Sequence, residues 1–335
     1  MWKQLAPEEE AGWDRLGTRA GDDNPFQSDA WARYKRLSGW EPQRWTASDG
    51  GGAVICSLQV LKKKLPLGRA VLWAPGGPVV AFPGADRGNL EPLLREGLRQ
   101  IFRSNRAVYA RFYSLQPSAP ETRRALSGFY AVPKLRLGSG ATVKIDLTLS
   151  EEDLLSRMDK KHRYEVRRLG EGALRWEWGT STALVAALSR LHSEMAAAKK
   201  VSAADEKDLS RLVSEFKENS KILIGSAGNE PVTGCLVLLK GKGAFYWRAA
   251  TARKGRELSA SYPMVWELLK RLKAAGIERF DFGGILPGVR SAEGINHFKR
   301  GFGGTAVEYL GEWEWSNTRW ARWGVNAWVA CRGQG

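Results

Sequence analysis

The sequence is poor in the residues that most often carry chemistry. Among 335 residues there are 3 histidines and 3 cysteines. His162, His192 and His297 show no HExxH spacing, which excludes the commonest helical zinc-protease site. No nucleophile triad is legible. Cys56, Cys235 and Cys331 form an odd set without metal-ligand spacing. That pattern excludes a disulfide framework and makes a reducing cytoplasm the default, with each cysteine acting as a small hydrophobe. No run approaches the roughly eighteen apolar residues of a membrane span, and the opening MWKQLAPEEE is not a signal peptide. Acidic residues are also scarce. Lys and Arg number 52 against 36 Asp and Glu, a net charge of +16. Such a charge steers polyanions, so nucleic acid, nucleotide phosphates and an anionic membrane face are the candidate partners. A generally basic proteome rich in Arg and Trp gives the same composition without any such partner.

Hydrophobic content of 43% is ordinary for a globular chain, and the length suits two compact domains. Periodicity shows the same order of elements in both halves. Arg44–Ala47 and Ala53–Val60 flank a Gly-rich turn as a hairpin. The strand Ala70–Ala74, a helix over Leu90–Phe102 and the strand Ala107–Leu115 follow. In the second half, Ile222–Ser226 and Val232–Leu239 form the hairpin. Ala244–Ala250, a helix over Ser261–Ala275 and the strand Arg279–Gly283 follow. Cys56 and Cys235 fall at corresponding places. The repeat predicts an internal duplication, with two α/β domains over 1–140 and 141–335, each a mixed sheet flanked by helices. A helical insertion at about 150–220 carries the patterns Glu151–Leu169, Thr182–Lys199 and Glu206–Asn219.

The stretch ERFDFGGILPGVRSAEGINHFKRGFGG, from Glu278 to Gly304, organises the second half. Phe280 and Phe282 alternate about Asp281 as a short strand that stops at Gly283-Gly284. Ser291 is placed to cap a short helix bearing His297, Phe298, Lys299 and Arg300, and Gly301, Gly303 and Gly304 end it. Strand, glycine turn and cationic helix can bring a positive group and free backbone N–H groups to one point. The same pattern also serves a plain βα connection that needs glycine for tight packing.

Four segments in order give the chain a resemblance. FQSDAWARYKRLSGW (Phe26–Trp40), TVKIDLTLSEEDLLSRMDKKHRYEVRRL (Thr142–Leu169), DFGGI with FKRGFGG, and YLGEWEWSNT (Tyr309–Thr318) are similar to the ordered motifs of the Fem family. These are aminoacyl-tRNA-dependent peptidyltransferases that extend the peptide of cell-wall precursors. Sustained heptads are absent, so the simpler, FemX-like branch without a coiled-coil arm is the better match.

The resemblance implies tandem acetyltransferase-like (GNAT-like) domains. It also implies transfer of an amino acid from aminoacyl-tRNA to a peptide amine of a peptidoglycan precursor, lipid II or a UDP-linked muropeptide. No cofactor is needed, and the chain is expected to be a cytoplasmic monomer. Lys299 becomes the candidate to meet charge on the ester carbonyl, with Phe298 beside it and Asp281 either ordering the lysine or the amine or serving only as a strand-end carboxylate. N–H groups near Gly283 and Gly284 are placed to assist. Lys35, one turn beyond Trp31, becomes a contact for an acceptor phosphate, and Tyr246 a tyrosine near the acceptor. Core packing is the bland alternative for Tyr246, and plain solvation for Lys35. Lys161, Arg163 and Arg167 lie on a charged helix that is a solvated face by default; the resemblance makes them tRNA contacts. The family has an Arg and then an aromatic where this chain reads AAAKKVSAA. Lys199 is the substitute there, without the bidentate fork of Arg.

Two rivals remain. An acyl-CoA-dependent N-acyltransferase of the same fold would show Q/R-x-x-G-x-G/A at a helix start. Arg253-Lys254-Gly255-Arg256 and Arg300–Thr305 each miss that pattern by one position. A non-catalytic RNA- or envelope-binding module would leave Lys299 on an open basic surface. The Trp-rich end, Trp313–Trp328, suits a peripheral contact with the membrane, stacking on bases, or a terminal helix docked on a sheet.

Overall fold

The computed structural model describes residues 2–19, 21–80, 92–127, 130–131, 133, 136–170, 172–199 and 205–331. They form two compact units, Met1–Gly140 with Val307–Gln334, and Ala141–Ala306. The expected second domain ran on to residue 335. Instead the segment from Val307 belongs to the first unit, because β12 (Thr305–Ser316) pairs antiparallel with β5 (Ala107–Pro117) there.

The first unit is a mixed sheet. Its strands are β1 (Trp2–Gln4), β2 (Glu41–Ser48), β3 (Val54–Lys64), β4 (Ala70–Gly76), β5 and β12, in that order. Only the β4–β5 pair is parallel among its registered pairs; the rest run antiparallel. One core packs Trp45, Leu58 and Leu72 of the sheet against Leu94, Leu98 and Phe102 of the following helical segment. The ion pair Arg111–Glu312, at 2.6 Å and with both side chains 4% exposed, ties β5 to β12.

The second unit repeats the plan. β7 (Arg175–Gly179), β8 (Ser220–Ala227), β9 (Glu230–Lys240), β10 (Gly243–Thr251), β11 (Arg279–Ile285) and β6 (Ala141–Asp146) lie in that order, and only β10–β11 is parallel among the registered pairs. Cys56 on β3 and Cys235 on β9 occupy corresponding strands and are both fully buried. The helix Ser261–Ala274 lays Val265, Leu268, Leu269 and Leu272 on the sheet beside Phe280 and Phe282, as its 3.6-residue spacing predicts.

Two expected helices differ in detail. Glu151–Leu169 is not one helix. It breaks at Met158 and Asp159, whose backbones are extended, leaving Glu151–Arg157 and Lys160–Arg168. Burial of Met158 and a bond from the Asp159 N–H to the Gly301 carbonyl hold the break. Ser291 does not cap its helix. A single turn over Arg290–Ala292 comes first, and the helix Glu293–Arg300 starts after Ala292 without a side-chain cap.

Candidate active site

The site in the second unit begins with a local defect in the sheet. β10 and β11 pair in parallel only over Gly243–Phe245 with Arg279–Asp281. Beyond that, β10 shifts register between Tyr246 and Arg248, and β11 between Asp281 and Gly284. Gly283 sits at the β11 shift with φ of 64°. A side chain there would be strained and would lie 3.0 Å from the Tyr246 carbonyl oxygen.

Asp281 fixes this bulge. Its Oδ1 accepts the Gly283 N–H at 2.8 Å and lies against the Thr142 hydroxyl, which is also 2.9 Å from the Gly283 carbonyl. Lys144 Nζ stands 3.9 Å from Oδ2. The Gly283 N–H is therefore already committed to Asp281. The glycine pair also offers the site two carbonyls.

Lys299 takes them. From the last turn of the Glu293–Arg300 helix its Nζ donates to the Gly284 carbonyl at 2.7 Å and to that of Gly283 at 3.3 Å. Burial pulls its pKa down to about 8, against the nearby Asp281 carboxylate, which favours the charged form. An ammonium has three donors, so one is left for a further acceptor.

Aromatic rings wall the site. Phe298 packs against Tyr262 and Phe302, each at 5.2 Å between centroids. Phe302 continues to Phe282 and Phe280, and Tyr246 stands at 5.7 Å from Phe282. Tyr246 is a member of this core, and burial raises its phenol well above the ordinary range. His162, unassigned in the sequence, is buried against Tyr262 and Phe302, with Nε2 2.9 Å from the Phe298 carbonyl. Sequence reasoning had no signal for this partner.

The proposed RNA contacts separate. Lys161 and Arg167 are exposed. Arg163 is half-buried and donates to the carbonyls of Ser156 and Met158, at the end of the preceding helix. Arg167 lines a groove of about 410 Å³ with Val166, Trp176, Pro263, Trp266 and Lys270. Lys199 is the last residue of the Thr182–Lys199 helix, and its side chain lies outside the described residues, as do residues 200–204.

Trp31 and Lys35 belong to the first unit. Ser28 caps their helix, Asp29–Arg36, through its hydroxyl and the Trp31 N–H at 3.1 Å. Trp31 is 2% exposed and packs between Phe26 and Tyr34. It serves as a seat: Lys35 Nζ lies 4.6 Å from the Trp31 ring, 4.4 Å from Tyr34 and 5.6 Å from Trp73. Cation–π attraction of this kind holds the ammonium over the rings. Among the described residues no group of three His, Cys, Asp or Glu could hold a metal ion.

Residues 180–321 match the FemAB family. No curated protein matches the chain. Among solved structures, FemX is similar with a TM-score of 0.79 at 15% identity, covering 98% of this chain and 99% of that one. L-PGS from Bacillus licheniformis follows with a TM-score of 0.56 at 14% identity, covering 98% and 97%. A tandem GNAT protein from the clavulanic acid biosynthesis pathway gives 0.56 at 13% identity, covering 94% and 98%. These likenesses establish a tandem acetyltransferase-like fold. The family match takes in β8–β11, the helix of Lys299 and all of β12, so this part of the chain is similar to the FemAB family.

Proposed function

We propose that the chain moves an amino acid from aminoacyl-tRNA to an amine of a peptide acceptor, a peptidoglycan precursor. One observation carries the reading. Lys299 is mounted on a helix end, fixed by two backbone carbonyls and walled by aromatic rings, with one donor left over. The acceptor amine attacks the ester carbonyl, the C–N bond forms and the C–O bond to the ribose breaks. The amine gives up a proton and the leaving ribose hydroxyl gains one. Charge builds on the carbonyl oxygen between these events, and the spare Lys299 donor meets it. The ester is already activated, so positioning and charge stabilisation are what the protein has to add.

The other parts fit the same reading. Arg167 beside Trp176 and Trp266 joins a phosphate-binding cation to faces on which bases stack, as tRNA requires. Lys35 on its aromatic seat suits an acceptor phosphate. The helix Arg319–Cys331 leaves Trp320 81% and Trp323 70% exposed, while Asn326 and Arg322 hold it to Glu314. Exposed Trp on a basic helix supports a peripheral contact with an anionic membrane face, where a lipid-linked acceptor would be met. Among the described residues no helix is long and apolar enough to cross a membrane. The proposed setting is the cytoplasm, at or near that face, with the chain acting as a monomer.

The test is incubation with labelled aminoacyl-tRNAs and candidate precursors, followed by mass measurement of the products. One amino-acid residue added to a precursor supports the reading. Consumption of acyl-CoA in place of aminoacyl-tRNA overturns it.

A further inference from the structure

His162 is 0% exposed and is built against the lysine's helix. It lies in the first turn of the Lys160–Arg168 helix. Its Nε2 is 2.9 Å from the Phe298 carbonyl, while its Nδ1 is buried without a partner. A carbonyl only accepts, so the proton sits on Nε2 and Nδ1 is bare. The ring fills the space a side chain at Gly301 would need: a Cβ there would lie 1.9 Å from His162 Cε1. Three residues before His162, the Asp159 N–H donates to the Gly301 carbonyl at 2.9 Å. The carbonyls of the last helical turn have no partner within their helix. Here two of them, at Phe298 and Gly301, are satisfied from one neighbouring segment, and they bracket Lys299 in the chain.

We propose that His162 is a positioning residue for the transfer reaction, setting through the Phe298 carbonyl the height at which Lys299 meets the Gly283 and Gly284 carbonyls and the reacting ester. The placement of Lys299 stands on geometry alone; the consequence for catalysis rests on the function proposed above. The ring is suited to the task because it does not change charge in use. Burial keeps it neutral, helped by Lys161 and His297 and opposed by Asp159 and the Phe298 carbonyl bond. Tyr262, from the Ser261–Ala274 helix, faces it edge-on. An imidazolium would place a second N–H at Nδ1 with nothing to accept it.

The experiment compares His162→Gln, which keeps an N–H donor, with His162→Met, which has nearly the same length and none. Trace acetylation of the intact protein across pH, read by peptide mass spectrometry, gives the Lys299 midpoint without any substrate. Wild type is expected near 8, the value burial gives it. In His162→Met the midpoint should rise by about one unit as the lysine loosens toward water, and His162→Gln should recover most of the shift. In the transfer assay His162→Met should lower kcat by about tenfold or more with both KM values little changed. Gly301→Ala, which pushes the ring from the other side, should raise the midpoint in the same direction. An unchanged midpoint in folded His162→Met and Gly301→Ala overturns the proposal. So does failure of His162→Met alone to fold, which would make the bond a requirement of the fold. A midpoint that moves as expected in a wild type that transfers nothing would sustain the positioning and sink the proposed reaction instead.

Discussion

Lys299 Nζ lies 2.7 Å from the carbonyl oxygen of Gly284, so the cation of the helix is bonded directly to the bulge of the adjoining strand. Asp281 does not reach the lysine as a simple ion-pair partner in this arrangement. It holds the bulge, accepting the Gly283 N–H, and the bulge holds the lysine. A cation fixed this way costs little reorganisation when charge develops beside it.

Lys299→Met keeps the stem and removes the charge. Loss of one such donor costs about 3 kcal/mol, on the order of a hundredfold or more in kcat. The melting temperature should fall only modestly, because the Gly283 and Gly284 carbonyls lose a donor, about 1–2 kcal/mol, while a buried charge is removed with it. A large fall in melting temperature with per-molecule activity retained would make Lys299 structural.

The pH dependence should run in opposite senses for activity and stability. Lys299 titrates at about 8 when folded, below its ordinary 10.5. Activity that needs the ammonium therefore falls as pH rises through about 8. Between the two values the unfolded chain binds the proton and the folded chain does not, so this group's contribution to stability rises with pH across that window. Rate profiles and melting curves on wild type and Lys299→Met separate the two. A basic limb near 8 that persists in Lys299→Met belongs to another group.

Lys35→Ala should raise the acceptor's KM more than it lowers kcat. A phosphate remote from the reacting atoms is bound alike in ground and transition states. The fold should survive, since Trp31 keeps its packing with Phe26 and Tyr34. Unchanged acceptor KM removes the role.

The cations of the Lys160–Arg168 helix should divide by what they touch. Exposed Lys161 and Arg167, changed to Glu, should weaken tRNA binding and flatten its salt dependence by roughly one unit of slope per lost phosphate contact. Arg163→Ala should leave binding alone and cost about 1–2 kcal/mol of stability, because its guanidinium satisfies the Ser156 and Met158 carbonyls. Filter binding across salt and chemical unfolding test the division; equal effects from all three would contradict it.

Double substitution of Trp320 and Trp323 by Ser should abolish cosedimentation with vesicles rich in anionic lipid while leaving turnover of a soluble acceptor intact. These side chains carry no packing duty, being 81% and 70% exposed. Vesicle binding that survives the substitutions would place the membrane contact elsewhere.

Much of the architecture was legible because it is written locally. Apolar pattern and turn residues gave the two hairpins and the strands after them, though not β1 or β7, and Cys56 and Cys235 marked equivalent positions because both lie in strands buried along a continuous run. The Lys299 helix was legible from its glycine flanks. What escaped the sequence depends on partners far along the chain. The break at Met158–Asp159 is held by Gly301, and His162 is assigned only by the Phe298 carbonyl, 136 residues away. At Gly283 the sequence also hid the partner, because Asp281, two residues earlier, takes its N–H, while the carbonyls of Gly283 and Gly284 meet the lysine. Local pattern placed the right residues near one another and left the sense of their bonds open.

The most direct measurement is the mass of a cell-wall precursor peptide after incubation with the protein and charged tRNA. The account predicts a gain of one amino-acid residue, dependent on the aminoacyl-tRNA, abolished by ribonuclease and lost with Lys299→Met. No gain with any aminoacyl-tRNA, or a gain of an acyl group drawn from acyl-CoA, would contradict it.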